Sequence, residues 1–197
     1  MQHIISHIES KYEPLCIVLY GSYADGTFNA QSDFDCLIIT QSKDAAHDSS
    51  VIDGVQLDLF IHTQSEVDEI DCIPLFDAKV IKDTGNIAAE LVQKARNLVA
   101  NSSKKSNGEK QALRAWLHKM LARAKNDDAD GLYRRHWLLT DALEIYFDLR
   151  DRFYFGPKKA IAALRHENEA GFALFTAALS GGYDDVAAWV AHVIMEC

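Results

Sequence analysis

Two short apolar runs place the strongest constraint on the fold of the first half of the chain. The segment LCIVLY, residues 15–20, stops at Gly21, and the segment DFDCLIIT, residues 33–40, contains a second run of this kind. Apolar runs of about four to eight residues between turn residues are typical of buried strands. Because side chains alternate along a strand, the second run also predicts Asp33 and Asp35 on one face. The sequence therefore predicts two buried strands, with two carboxylates where the second one begins.

The remaining patterns of the first half predict a mixed α/β unit. Apolar residues at helical spacing predict an N-terminal helix that Pro14 ends. The alternating segment VQLDLFIH, residues 55–62, predicts a strand with Asp58 on its polar face. Residues 78–83 are expected to add a short strand, and residues 88–99 to form a helix. We therefore expect an N-terminal α/β domain, in which helices flank a mixed sheet.

The pattern changes in a polar, linker-like stretch, NSSKKSNG, at residues 101–108. Beyond it the apolar positions recur at helical spacing, and Pro157 stands where a helix is expected to begin. These features predict an all-α bundle of about four or five helices. The predicted domains are therefore an α/β domain at residues 1–100 and a helical bundle at residues 101–197. The tryptophans stand at helical core spacing and are expected in the core of the bundle: Trp116, Trp137 and Trp189.

The charge of the chain is divided unevenly between its two halves. The net charge is −9, yet residues 1–98 contain six Lys and Arg against sixteen Asp and Glu, whereas residues 99–197 contain fourteen against thirteen. An acidic surface repels a long nucleic acid and favours a small or cationic partner, or an anion that arrives with a metal ion. A nucleic-acid partner is therefore disfavoured, although it stays open.

Neither a membrane span nor a disulfide or zinc framework is expected. The longest wholly apolar run, residues 15–20, is far shorter than the roughly 20 residues of a membrane helix, and the N-terminus has no signal pattern. We therefore expect a cytoplasmic protein. The cysteines lack ligand spacing and are expected to be buried or free thiols: Cys16, Cys36, Cys72 and Cys197.

The carboxylates at the start of the second strand are placed to hold a cation. Residues i and i+2 of a strand project to one side about 6.6 Å apart, so Asp33 and Asp35 can converge on Mg²⁺, which prefers carboxylate oxygens. Asp58 can add a third carboxylate and complete a two-metal site. Gly21 and Ser22 lie between a strand and a predicted helix start, with Ser22 as the expected N-cap. Their backbone N–H groups and the Ser22 hydroxyl can hold a terminal phosphate.

In combination these residues resemble the signature of the DNA polymerase β-type nucleotidyltransferase superfamily. The matching pattern is Gly21-Ser22, a spacer of ten residues, and Asp33-Phe34-Asp35. The resemblance implies that Asp33 and Asp35 bind Mg²⁺, that Asp58 completes the metal site, and that Gly21 and Ser22 hold the triphosphate of an incoming nucleotide. An α/β unit before a helical bundle also resembles the small bacterial antibiotic nucleotidyltransferases, in which substrate lies in the cleft between the domains.

The sequence departs from this family in its basic residues. No Lys or Arg lies between residues 11 and 43, where many relatives carry a basic residue just after Gly-Ser. Relatives often contact the β- or γ-phosphate with a Lys of the helical domain, and this role falls to Lys158 or Lys159 at a predicted helix N-terminus. The alternative is that both lysines are simply solvated. Arg150 and Arg152 are weaker candidates for the same role.

A set of charged residues follows one face of the preceding predicted helix. Asp141, Glu144, Asp148 and Arg152 recur at helical spacing. Either this face is only solvated, or it binds a cationic acceptor, with Glu144 or Asp148 as the general base that takes a proton from the acceptor hydroxyl. Asp58 is the rival candidate for the base.

The sequence thus predicts an enzyme, a Mg²⁺-dependent nucleotidyltransferase. The favoured reaction moves a nucleoside monophosphate, AMP from ATP, onto a hydroxyl of a small acceptor such as an aminoglycoside-like antibiotic and releases pyrophosphate. Two alternatives stay open: transfer to a tRNA or a protein in a toxin–antitoxin-type system, and a nucleotide-binding module without turnover. The sequence does not determine the acceptor, the preferred nucleotide or the oligomeric state.

Overall fold

A computed structural model describes residues 1–102 and 104–195 of the chain. Its contacts divide the chain into two units, residues 1–101 and residues 102–197. The catalytic and substrate-binding roles that the sequence assigns to residues 1–100 and 101–197 stay predictions. The prediction for Cys197 lies outside the described residues.

The first unit is a six-stranded mixed sheet with helices on both faces. The sheet order is β3-β5-β2-β1-β6, and β4 pairs with β5. The β2–β5 pair is parallel, whereas the other pairs are antiparallel. The elements of this unit are α1 (Gln2–Tyr12), β1 (Cys16–Leu19), α2 (Gly21–Asp25), β2 (Phe34–Thr40), β3 (His47–Asp48), β4 (Val51–Ile52), β5 (Val55–Thr63), β6 (Lys79–Asp83) and α3 (Ile87–Ala100). Two 3₁₀ helices, Gln64–Glu69 and Ile73–Leu75, lie between β5 and β6. The mixed α/β prediction is confirmed.

The side chains of β2 alternate between the two faces of the sheet, and helices cover both faces. Phe34, Cys36 and Ile38 pack into the cluster that contains the apolar side chains of α1. Leu37 and Ile39 pack into a second cluster, with the apolar side chains of α3. A strand that is buried on both faces carries a nearly continuous apolar run, as β2 does. The one break in that run is Asp35, near the start of the strand.

The second unit contains five helices and no strand among the residues that the structure describes, which confirms the all-α prediction. Its elements are α4 (Asn107–Arg123), α5 (Ala129–Leu149), α6 (Pro157–Glu167), α7 (Glu169–Ser180) and α8 (Tyr183–Ile194). Pro157 is at the first position of α6, as predicted. Ser106 and Glu109 form a capping box that fixes the start of α4.

The three tryptophans do not share one environment. Trp189 on α8 is fully buried among the aromatic rings of Tyr146 and Phe175. Trp116 is half-buried, whereas Trp137 is 46% exposed and meets Trp116 edge-on. The core prediction is therefore wrong for Trp137. Helical spacing places a residue on a face, but the neighbouring helices decide whether that face is covered.

Two further expectations concern the membrane and the thiols. None of the helices in the described part of the chain combines the length and apolar character that crossing a membrane requires. Cys16, Cys36 and Cys72 are buried free thiols, as expected.

Candidate active site

The register of the two parallel strands brings two carboxylates together. Asp35 on β2 stands directly opposite Asp58 on β5, and neighbouring strands lie about 4.8 Å apart. Both side chains are half-buried, on the sheet face that carries Leu37 and Ile39 further along β2. Asp33 lies one residue before β2 and is exposed. The structure thus pairs Asp35 with Asp58 and leaves Asp33 at the entrance of the strand.

The turn after β1 packs directly against Asp35. Gly21 has φ +65°, in the left-handed region, and a Cβ at this position would overlap Asp35 Oδ2. The Tyr20 N–H donates to the Asp35 carbonyl oxygen at 3.1 Å. Glycine is therefore required twice, for its backbone conformation and for the close approach of the carboxylate. The sequence offers Gly21 as a turn residue, but only the structure shows which side chain it makes room for.

Ser22 does not occupy the position expected of it. The short helix α2 begins at Gly21, its N-cap is Tyr20, and Ser22 lies inside the first turn, 5% exposed. The N-cap prediction is therefore wrong by two positions. The left-handed conformation of Gly21 lets the chain turn from β1 into the helix without a side-chain cap. Whether Gly21 and Ser22 bind phosphate stays a prediction.

The pKa of Tyr20 is affected by the two carboxylates at this end of the sheet. Its pKa is raised above the usual value for tyrosine, first by burial and then by the negative charges of Asp58 and Asp35. The carboxylates of Asp58 and Asp35 therefore both act on the Tyr20 hydroxyl at this end of the sheet.

His47 is a site residue that the sequence reasoning missed. It lies on the two-residue strand β3, and its Nε2 is 2.6 Å from Asp58 Oδ1. Its ring lies 5.0 Å from that of Phe60, which it faces across the β3–β5 pair. The signal that could have found it is Asp53-Gly54, a hairpin turn that folds residues 47–52 back along β5.

The donor set at this end of the sheet suits a hard divalent cation. Asp35 and Asp58 supply carboxylate oxygens, and Mg²⁺ is commonly held by one or two carboxylates together with substrate phosphates. In the described part of the chain, no group of three or more His, Cys, Asp and Glu side chains is arranged to hold a metal ion. The metal centre of Asp33, Asp35 and Asp58 therefore stays a prediction.

The predicted acidic face of the second unit lines a pocket. Asp141, Glu144 and Asp148 lie on one side of α5 around a pocket of about 280 Å³, whose other lining residues include Leu113 and Trp116. Burial raises the pKa of Asp141 above its ordinary value. Lys105 Nζ lies 3.4 Å from Asp148 Oδ2, so one of the three carboxylates already has a cationic partner.

Arg152 does not belong to the α5 face. The helix ends at Leu149, and the chain turns at Asp151, which has φ +54°. Arg152 instead pairs with Glu167 at 2.6 Å and stacks over the ring of Phe147. Periodicity assumes that the helix continues, and here it does not.

The two candidate lysines lie in the first turn of α6. Lys158 is exposed, whereas Lys159 is half-buried with its Nζ 5.6 Å from the centre of the Phe155 ring. Neither position tests the predicted contact with a nucleotide phosphate. The choice between the two lysines stays open.

Comparison with known proteins decides the family. The family model described as polymerase beta, nucleotidyltransferase matches residues 2–104, more than half of the chain. The chain belongs to the polymerase beta nucleotidyltransferase family. The matched region of this nucleotidyltransferase-family protein contains the Gly21 turn and both strands that carry Asp35 and Asp58. No curated protein matches the chain.

Two solved structures are similar to this nucleotidyltransferase-family chain. A nucleotidyltransferase-like protein from Exiguobacterium sibiricum 255-15 has 12% sequence identity and a TM-score of 0.43, over 98% of this chain and 72% of that one. A toxin–antitoxin structure with AMP-PNP has 15% identity and a TM-score of 0.34, over 59% of this chain and 97% of that one. Because both scores are low, the family assignment rests on the sequence match.

Proposed function

We propose that this protein is a Mg²⁺-dependent transferase that moves AMP from ATP onto a hydroxyl of a small acceptor and releases pyrophosphate. The observation that carries the proposal is the register that sets Asp35 beside Asp58, next to the glycine that makes room for Asp35. Two neighbouring carboxylates repel each other and contribute little to folding, so their proximity is better explained by a cation that both bind. The cytoplasmic location inferred from the sequence stays part of this proposal.

The proposed roles follow from the chemistry of each group. Asp33, Asp35 and Asp58 hold Mg²⁺, which when bound neutralises the charge that develops on the phosphate oxygens. His47 holds the Asp58 carboxylate in one orientation through its hydrogen bond. The turn at Gly21 and Ser22 holds the triphosphate of the nucleotide. Because phosphoryl-type transfer needs little covalent work from the protein, positioning and charge carry most of the catalysis.

Other groups are proposed to contact the phosphates and the acceptor. Lys158 or Lys159 meets the triphosphate, since both are in the first turn of α6. Asp58 and Glu144 are the candidate bases for the acceptor hydroxyl. The pocket on α5 combines carboxylates with the apolar side chains of Leu113 and Trp116, a lining that suits an organic cation such as an aminoglycoside.

The first experiment incubates the protein with α-³²P-ATP, Mg²⁺ and a panel of aminoglycosides, lincosamides, bulk tRNA and the protein itself. We expect label on a small cationic acceptor, pyrophosphate released in equal amount, and loss of both when EDTA removes the metal. Label on tRNA or on the protein would show that the acceptor is a macromolecule, and would contradict the small acceptor of the proposal. Binding of ATP with no label on any acceptor would favour the module without turnover and contradict the proposal.

A glycine substitution tests the geometry of the site more directly. In G21A the new Cβ overlaps Asp35 Oδ2, and a displacement of about 1 Å at a reacting centre costs about 10²-fold in rate. The left-handed backbone adds a stability loss of about 1–2 kcal/mol. The measurements are the initial rate of transfer and urea unfolding of the same preparation.

The matched control for this substitution is G26A. Gly26 has φ +85°, and no atom lies within 4 Å of the point that a new Cβ would occupy, so G26A carries the same backbone strain without the overlap. We expect G26A to lose similar stability and to keep the rate. Equal rates for G21A and G26A would remove Asp35 from the proposed site.

A further inference from the structure

A second pocket lies within the helical unit, where the ends of several helices converge. Its volume is about 630 Å³, and its lining includes the start of α4, the segment that follows α5, the start of α7 and the end of α8. Its lining contains four basic residues and one acidic residue: Lys110, Arg114, Arg150 and Arg152, and Glu167. Among the described residues that line this pocket, Glu167 is the only acid. Two of these cations have carboxylate partners, Lys110 in Asp151 and Arg152 in Glu167, whereas Arg150 has none among the described residues.

Arg150 contributes a positive charge to this pocket, and several contacts hold its guanidinium group in place. Its Nη1 donates to the carbonyl oxygens of Tyr146 and Val193 at 3.2 and 3.3 Å, and its guanidinium lies 3.8 Å from the centre of the Tyr146 ring. Its Nη2 donates to the carbonyl oxygens of His192 and Met195, both at 3.5 Å. Carbonyl groups accept from Nη1 and Nη2, whereas the buried Nε has no hydrogen-bond partner among the described residues. Neutral carbonyl groups leave the unit charge of the guanidinium uncancelled. Within the described part of the chain, no carboxylate lies at ion-pair distance from Arg150.

Two other cations are held in ion pairs at the edge of the pocket. Lys110 Nζ lies 2.7 Å from Asp151 Oδ1, and Arg152 Nη1 lies 2.6 Å from Glu167 Oε2. The side chains of Arg152 and Glu167 are 39% and 47% exposed. Exposed pairs of this kind contribute little to stability, so Arg152 can exchange Glu167 for the oxygens of a bound anion at little cost. The side chains of Lys110 and Asp151 are only 15% and 31% exposed, so the same exchange at Lys110 costs more.

We propose that this pocket binds a small anion with two or three linked phosphate groups. Arg150 supplies a fixed charge, and Lys110 and Arg152 close on the phosphate oxygens, which guanidinium groups bind with well-matched geometry. The volume is within the range of small-ligand sites. Arg150 lies over the Tyr146 ring, and Tyr146 is only 4% exposed, so its ring offers no open face to a nucleotide base. The ligand is thus a phosphate chain, and its binding does not depend on the proposed transfer reaction.

The test titrates the whole chain with inorganic tripolyphosphate in the presence of EDTA, so that no metal ion assists binding at the carboxylates of the first unit. Calorimetry measures the affinity. Because a charge-assisted hydrogen bond contributes about 1.5–3 kcal/mol, we expect K110Q/R152Q to weaken binding by about tenfold or more. The control K119Q removes an exposed lysine of α4 that is not among the lining residues, and is expected to bind as the unmodified protein does.

Substitution of the acidic partners gives the sharper result, because it predicts a gain. E167Q releases Arg152, and D151N releases Lys110, so each is expected to tighten binding by about two- to tenfold. Asn tolerates the positive φ of residue 151, and thermal unfolding checks that each variant is folded. Tripolyphosphate alone is the probe, because ATP also has the nucleotide site proposed for the first unit. Unchanged or weaker binding of tripolyphosphate in E167Q and D151N, or no binding at all, would each overturn the proposal.

Discussion

The D35N variant is expected to lose transfer of label from ATP by about 10²–10³-fold, the scale seen when one electrostatic contact to a transition state is removed. Asn keeps the shape of the side chain and removes its charge, so the packing against Gly21 is retained. Because Asp35 stands opposite Asp58, the substitution also relieves the repulsion between two like charges. We therefore expect the midpoint of thermal unfolding to stay constant or to rise while activity disappears.

The matched control for D35N is D53N. Asp53 is an exposed aspartate of the same unit in the turn between β4 and β5, with φ +52°, which Asn tolerates. We expect D53N to keep both its activity and its stability. Transfer assays with varied Mg²⁺ would show the loss in D35N at every concentration. If D35N and the double variant D33N/D35N transferred AMP at the rate of D53N, the two-carboxylate site would be wrong.

The largest expected effect on stability comes from W189A in the helical unit. Trp189 is fully buried, with its ring centre 5.2 Å from that of Phe175 and 5.8 Å from that of Tyr146. Truncation of a buried aromatic side chain to Ala costs about 3–5 kcal/mol, because it loses apolar burial and leaves a cavity. Urea unfolding followed by tryptophan fluorescence measures this loss in the second unit, since all three tryptophans of the chain lie after residue 102.

Two comparisons separate packing from other effects of the tryptophan. Trp189 Nε1 is buried and has no hydrogen-bond partner among the described residues, so W189F sacrifices no hydrogen bond and is expected to lose less stability than W189A. Trp137 is 46% exposed, and W137A is expected to cost less than about 1 kcal/mol. A loss in W137A as large as that in W189A would contradict the assignment of the core.

Local sequence patterns predicted the elements that carry the candidate site. The alternation of residues 33–40 and 55–62 predicted β2 and β5 and the faces of both strands, because a strand repeats every two residues whatever its neighbours are. The same alternation predicted Asp35 on one face together with Asp33, and Asp58 on the polar face of its own strand. Helical spacing beyond residue 108 predicted the all-α unit, and Pro157 predicted the start of α6.

The residues that were misjudged depend on contacts that no local pattern contains. His47 lies in a strand of two residues, too short for any periodicity, and its place beside Asp58 follows from the hairpin that folds it back onto β5. Trp137 is on a helical face that no neighbouring helix in the described part of the chain covers fully. Arg152 would continue the α5 face only if that helix continued beyond Leu149.

The sequence by itself determined the family, the α/β unit that precedes an all-α unit, and the presence of a Gly-Ser turn ten residues before two aspartates. Those features are encoded in residue types and in spacings along the chain. Only the tertiary structure decided that Asp35 pairs with Asp58, that Gly21 makes room for the Asp35 carboxylate, and that cations gather around a pocket at the helix ends. Strand register and side-chain partners are decided by packing between segments far apart in sequence, so they become visible only when the chain is folded.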